Sequence, residues 1–187
     1  MEHFAIVVVS IIMKNTLILY SSVDGHTLKI CDTIARHLEQ QGHRAHLIAI
    51  EQATTEMLIQ YGKIVIGASI RYGKHRKNLI EFIRSNKAIL DDKTCCFFSV
   101  NLVARKADKN TPETNPYLQK LLQKLDWQPS LLSVFAGKVD YQKYAFFDRI
   151  MIQLIMWMTK GPTDINSVID YTDWQAVGTF SQQIAEH

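Results

Sequence analysis

The chain has 187 residues, 47% of them hydrophobic and 21% charged, with only 8 glycines and 4 prolines. That is one domain's worth of core, and it excludes a long disordered tail, a collagen-like tract or a low-complexity linker. The formal net charge of +3 is too small to make nucleic acid the presumed partner, and no apolar run reaches the roughly 20 residues that span a bilayer. Three cysteines, Cys31, Cys95 and Cys96, form an odd set without C-x-x-C spacing. They read as small buried hydrophobes in a reduced setting, and no metal site is expected.

The opening MEHFAIVVVSII lacks the basic start and small-residue cleavage site of a secretory signal. Met13-Lys14 followed by a strand looks like an ordinary start, so residues 1–12 read as an N-terminal extension of a domain covering 13–187. A short membrane-associating or sheet-edge segment is the rival reading. Thr16 to Tyr20 (TLILY) is an apolar run suited to a strand buried on both faces. Leu28, Cys31, Ile34, Ala35 and Leu38 then recur at helical spacing up to Gln41-Gly42. His46 to Ile50 and Lys63 to Ile66 predict two further strands, and the polar stretch 51–61 between them has room for a small helix. Leu79, Ile80, Phe82 and Ile83 predict a helix running to about Asn86. Thr94 to Val100 is a fourth strand, Tyr117 to Leu125 a helix after Pro116, Leu131 to Val139 a fifth strand, and Trp174 to Ala185 a closing helix. Strands alternating with helices give an α/β fold, a doubly wound five-stranded parallel sheet covered on both faces. The stretch 140–168 is an insert before the last helix.

In such a sheet, ligands bind at the carboxyl ends of the strands. The first strand runs into Ser22-Val23-Asp24-Gly25-His26-Thr27 and then a helix. Free N–H groups at a helix start attract an anion, hydroxyls add donors, and a glycine lets the backbone approach closely, which suits a phosphomonoester. The same residues also suit a plain helix-capping turn. Neither G-x-G-x-x-G nor G-x-x-x-x-G-K-[ST] occurs, so a dinucleotide fold and a P-loop are poorly supported. The third and fourth strands lead into Ser69-Ile70-Arg71-Tyr72-Gly73 and Ser99-Val100-Asn101-Leu102, which offer an aromatic ring, amides and hydroxyls for a flat heterocycle.

These residues resemble the flavodoxin family, whose phosphate loop pattern [ST]-x-T-G-x-T is matched by Ser22-x-Asp24-Gly25-x-Thr27. Asp24 departs from the pattern, and as a carboxylate beside a phosphate it is expected to turn away and accept loop N–H groups. A narrower resemblance, over nearly the whole chain from Met13, is to the flavodoxin-like, quinone-dependent protoporphyrinogen IX dehydrogenase family of bacteria. It is carried by MKNTLILYSSVDGHT, VIGASIRYGKHRKN, FFSVNLVARK, NTPETNPY, FFDRIMIQLIMWM and YTDW. The resemblance implies a flavodoxin-like fold and one FMN, with the phosphate on Ser22 to Thr27 and the ring between the Ser69 to Gly73 and Ser99 to Leu102 loops. It also implies protoporphyrinogen IX as substrate and a membrane quinone as acceptor, in heme biosynthesis.

Soluble electron-carrier flavodoxins are generally acidic, whereas here Arg71, Lys74, Arg76 and Lys77, and Arg105, Lys106 and Lys109, gather in the loops expected at the flavin edge. Such a rim attracts propionates, and Arg71, Tyr72 and Arg105 are the substrate-binding candidates. His75 reads as an exposed rim residue, with proton carrier as the sharper alternative. In the insert, Phe146, Phe147, Ile150, Met151, Leu154, Ile155, Trp157 and Met158 share a helix too short to span a bilayer but suited to its interface. Lys143, Arg149 and Lys160 are then expected near head groups. The alternative is a buried helix or an oligomer contact. The resulting expectation is a peripheral enzyme on the cytoplasmic face of the inner membrane. Its competitors are a soluble electron-transfer flavodoxin, a flavin-dependent quinone reductase and a flavin-free binding module.

Overall fold

A computed structural model describes residues 15–158 and 161–187, and of Lys143 only the backbone. The proposed extension 1–12 and Lys160 lie outside the described residues. In chain order the elements are β1 (Asn15–Ser21), α1 (His26–Gln40), β2 (Arg44–Ala49), α2 (Thr55–Gln60), β3 (Lys63–Arg71), β4 (Lys74–His75), α3 (Lys77–Ser85), α4 (Lys87–Asp92), β5 (Thr94–Val100), α5 (Pro116–Leu125), β6 (Leu131–Phe135), β7 (Lys138–Asp140), α6 (Phe146–Met158), β8 (Val168–Asp170) and α7 (Trp174–Glu186). Five strands pair in parallel in the order β2-β1-β3-β5-β6, as a doubly wound sheet requires, and β4 folds back antiparallel on the end of β3.

Strand alternation splits the apolar residues between two faces. Leu17 and Leu19 of β1 with Ile64 and Ile66 of β3 pack under α2 to α5, through Leu58, Leu79, Ile83, Leu90 and Leu118. Ile18 and Val65 face the other way, onto Ile30, Ile34 and Leu38 of α1 and Val177, Phe180 and Ile184 of α7. The same alternation puts the neighbours Cys95 and Cys96 on opposite faces. All three cysteines are buried free thiols, and burial pushes each thiol pKa upward, that of Cys96 to about 12.

Two elements differ from the sequence expectation. The predicted fifth strand, 131–139, ends at Phe135 because the carbonyls of Ala136 and Gly137 accept from Thr172 Oγ1 (3.0 Å) and the Tyr171 N–H (3.3 Å). The chain then leaves the sheet as β7 and pairs antiparallel with β8, a strand the short VID sequence does not announce. Beneath the insert, Val139, Tyr141, Tyr144 and Met156 form a small core of their own.

Gly67 in β3 is required by close packing, since a Cβ there would fall 2.2 Å from Phe98 Cζ and 2.9 Å from Cys31 Sγ. Gly67→Ala is expected to destabilise the domain by about 1–3 kcal/mol, the usual cost of overpacking a core. Thermal unfolding checks this, with a Tm lower by roughly 2–4 °C per kcal/mol at this chain size.

Candidate functional site

The parallel register ends Ser21, Ala68 and Ser99 level with one another, so three loops leave the sheet at one edge. There they wall a single cleft. It is lined by Ser22, Val23, Asp24, His26 and Thr27 from the first loop, Ser69 to Gly73 from the second, and Val100, Asn101 and Leu102 from the third. Of the proposed flavin-binding residues, Gly25 lies in an adjoining groove beside His26 and Lys29, and Ser99 is fully buried behind the wall.

The first loop shows what its residue types do. Gly25 adopts φ +81°, and its N–H donates to Ser22 Oγ at 3.1 Å. Gly25 occupies the N-cap of α1 and has no side chain to cap it, so the first turn of N–H groups has no side-chain acceptor. Ser22 thus holds the turn itself, as the capping alternative expects, while no side chain caps the first turn of α1. Thr27 Oγ1 is buried without a hydrogen-bond partner while Thr27 lines the cleft. Unpartnered donors around a glycine at positive φ fit a phosphate group.

Asp24 does not accept loop N–H groups as expected. Its carboxylate accepts from Arg71 Nη1 (3.1 and 3.3 Å), and Arg71 Nη2 donates to Asp148 in α6. Arg71, a substrate candidate by sequence, thus clamps the phosphate loop, the β3 end and the insert together. Tyr72 has φ 51° and Gly73 φ 75°, the two positive angles of a tight hairpin turn between β3 and β4. A tyrosine in that conformation costs about 1–2 kcal/mol, and here it stands at the cleft rim, 47% exposed. Arg105, the third candidate, donates to the Leu102 carbonyl at 2.8 Å and does not line the cleft. Elsewhere on the expected basic rim, Arg76 pairs with Glu51 at 2.6 Å and Lys77 with Glu81 at 3.1 Å.

Sequence reasoning missed Val103, Tyr117, Gly137, Lys138, Tyr144 and Ile152 as lining residues. Ile155, grouped with the membrane face, also points into the cleft. At 100° per residue it stands about 40° beyond Met151, just past the edge of the arc of roughly 140° that holds the other seven apolar residues and on the side toward Ile152. Those seven are exposed, Phe147 to 80%, Trp157 to 71% and Phe146 to 68%. Arg149 is half-buried and donates to the Tyr144 carbonyl rather than flanking the exposed face.

His75 departs furthest from expectation. It is 8% exposed, its Nε2 lies 3.2 Å from Ser99 Oγ, and burial pushes its pKa down to about 4. His26 at the start of α1 is also shifted down by burial, and its Nε2–H donates to Thr172 Oγ1 at 2.6 Å because that hydroxyl already donates to Ala136 O.

Comparison with known proteins bears on this cleft. A flavodoxin domain family model matches residues 17–166. Over 170 residues the chain is 41% identical to the protoporphyrinogen IX dehydrogenase [quinone] of Escherichia coli K12, covering 91% of this chain and 94% of the relative. The chain belongs to this flavodoxin-like family. The similarly named protein of Leishmania major is 45% identical, over 90% of this chain and 74% of that one. Flavodoxin 2 of Bacillus cereus, 18% identical with a TM-score of 0.54 over 92% of this chain, shares the fold. The cofactor of a flavodoxin domain is FMN, and the unpartnered donors of the first loop and a cleft lined by Tyr72 and Asn101 among others fit it.

Thr27→Val is expected to weaken FMN binding about tenfold and to leave riboflavin, which lacks the phosphate, unaffected, as loss of one hydrogen bond to a charged group implies. Flavin fluorescence titration reads both. His75 also sets a pH dependence. Its folded pKa of about 4 lies below the ordinary histidine value near 6.5, so between these pH values the unfolded chain binds a proton that the folded one does not. Stability therefore rises with pH across that window, and acidification from pH 7 to 4 removes roughly 3 kcal/mol through this residue. Urea unfolding at several pH values should show a shallower acid loss for His75→Gln.

Proposed function

We propose that the protein oxidises protoporphyrinogen IX to protoporphyrin IX with FMN and passes the electrons to a membrane quinone. The supporting observation is 41–45% identity, over nine-tenths of the chain, to relatives bearing that name, together with a phosphate-ready loop at a cleft for a flat ring. When bound, the flavin supplies the two-electron exchange, and the chain supplies orientation, electrostatics and access.

The N–H groups at the start of α1, with Ser22 and Thr27, hold the phosphate. Ser69 Oγ donates to the Ser21 carbonyl at 3.2 Å and locks the first two loops to each other. Tyr72 and Asn101 flank the ring position, and Ile152, Ile155 and Tyr144 close the cleft from the insert side and exclude water. Arg71 holds that closure in place, so its role is proposed as a clamp, whereas the exposed Tyr72 ring and the neighbouring Lys74 meet the substrate and its propionates. Removing six hydrogens from the porphyrinogen takes three rounds, each reducing one quinone to a quinol.

Membrane docking through α6 fits this chemistry, because quinones live in the bilayer. Fully burying a Leu, Ile, Phe or Met side chain is worth about 1.5–3 kcal/mol, so seven half-inserted anchors give on the order of 5 kcal/mol, a reversible attachment. Among the described residues no helix is long and apolar enough to cross a membrane. The docking surface is proposed to be the cytoplasmic face of the inner membrane. A soluble carrier role is less well supported, since an exposed apolar helix face has no use in it.

Anaerobic mixing of FMN-loaded protein with protoporphyrinogen IX and a quinone should produce porphyrin fluorescence faster than autoxidation, and no quinone-dependent increase would remove this reading. Combined Phe147→Ser, Leu154→Ser and Trp157→Ser changes are expected to abolish co-sedimentation with anionic vesicles. They should slow the reaction with vesicle-borne quinone while leaving that with a water-soluble quinone analogue unchanged.

A further inference from the structure

Behind the ring-side walls of the cleft lies a buried polar chain built from four separate elements. His75 Nε2 of β4 meets Ser99 Oγ at the end of β5 at 3.2 Å, and Ser99 Oγ accepts from Asn101 Nδ2 at 3.4 Å. Asn101 Oδ1 accepts from Asn115 Nδ2 (3.2 Å) and from the Ala104 N–H (3.1 Å), while Asn101 Nδ2 also reaches Asn115 Oδ1 at 3.4 Å. Asn115 in turn caps α5 through Leu118 N–H (3.2 Å) and donates to the Lys109 carbonyl (2.9 Å). His75, Ser99, Asn101 and Asn115 are all buried.

Ser99 Oγ accepts from Asn101 Nδ2, and with a second lone pair and one proton of its own it pairs with His75 Nε2 in either tautomer of the ring. Each member has a partner, and such fully satisfied buried networks are rigid because breaking one bond strands the rest. The two walls so joined are the Tyr72-Gly73 hairpin, of which β4 is the returning strand, and the Val100 to Val103 segment. Tyr117, two residues beyond Asn115, lines the same cleft and lies 3.5 Å from where a Gly73 Cβ would be.

We propose that His75 is a positioning residue for the flavin ring, acting through Ser99 and Asn101 to hold the two ring-side walls at a fixed separation. This rests on the reading of the cleft as a flavin site. It also explains why a histidine flanked by Lys74 and Arg76 is turned inward: β4 alternates, with Lys74 outward and His75 beneath the wall.

The test uses the full chain and measures FMN and riboflavin affinity by fluorescence quenching, together with the visible spectrum of the bound flavin. The variants are His75→Phe, Ser99→Ala, the pair combined, and His75→Gln, whose amide can again pair with Ser99 as donor or acceptor. His75→Phe and Ser99→Ala should each lose about tenfold in affinity for both flavins and shift the flavin bands, as expected for a broken buried hydrogen bond. The double variant should lose no more than the worse single one, since both changes cut the same chain, and His75→Gln should recover most of the affinity and the native bands. Ser99→Ala, which removes a single atom, and His75→Gln carry the test if His75→Phe does not fold. Unchanged affinity and spectrum in the single variants, or losses that multiply in the double variant, would overturn the inference alone. A wild-type protein that binds neither flavin would overturn the cofactor reading and this inference with it.

Discussion

Parallel pairing of β1, β3 and β5 in one register is the constraint on which the site depends. Parallel strands must be joined by crossovers, so every strand exits at the same edge, and level strand ends bring loops distant in sequence to within reach of one ligand. Burial of β1 and β3 on both faces holds that register, because a slip of one residue would exchange the two cores facing α1 and α2. The hydrogen bond from Ser69 to the Ser21 carbonyl then joins the loops themselves just beyond the last paired residues.

The insert adds a second constraint to that edge. α6 is apolar around most of its circumference, and the structure gives its two sides different work. Ile152, Ile155 and Met156 complete the cleft and the small core beneath it, while Phe147, Leu154 and Trp157 face outward. The Arg71 bridge between Asp24 and Asp148 joins these two functions mechanically, since the residue that steadies the phosphate loop also steadies the helix. A change in the helix position is therefore felt at the first loop.

Much of this was legible in the sequence where short-range physics decides. The expected strand Thr94 to Val100 has the observed boundaries, and the helix expected over Tyr117 to Leu125 from four leucines at helical spacing begins one residue earlier, at Pro116. The three cleft loops follow from strand ends alone. What escaped depends on contacts far apart in sequence. Asp24 finds Arg71 across 47 residues, and nothing local marks that pairing. His75 looked exposed because its neighbours are charged, yet a two-residue strand is enough to turn one side chain in and its neighbour out. The early end of the fifth strand depends on carbonyls claimed by Tyr171 and Thr172, which lie beyond the insert.

The placement of the cysteines has a consequence for chemistry carried out in the same domain. A protein that handles electron pairs is a hazard to its own thiols, which oxidise stepwise once they ionise and meet an oxidant. Cys95 and Cys96 are neighbours in β5 but are separated by the thickness of the sheet, so neither can trap the other in a disulfide without unfolding the strand. With Cys31 they are held as protonated thiols in apolar surroundings. Oxidants that reach the domain therefore meet no ionised cysteine among these three.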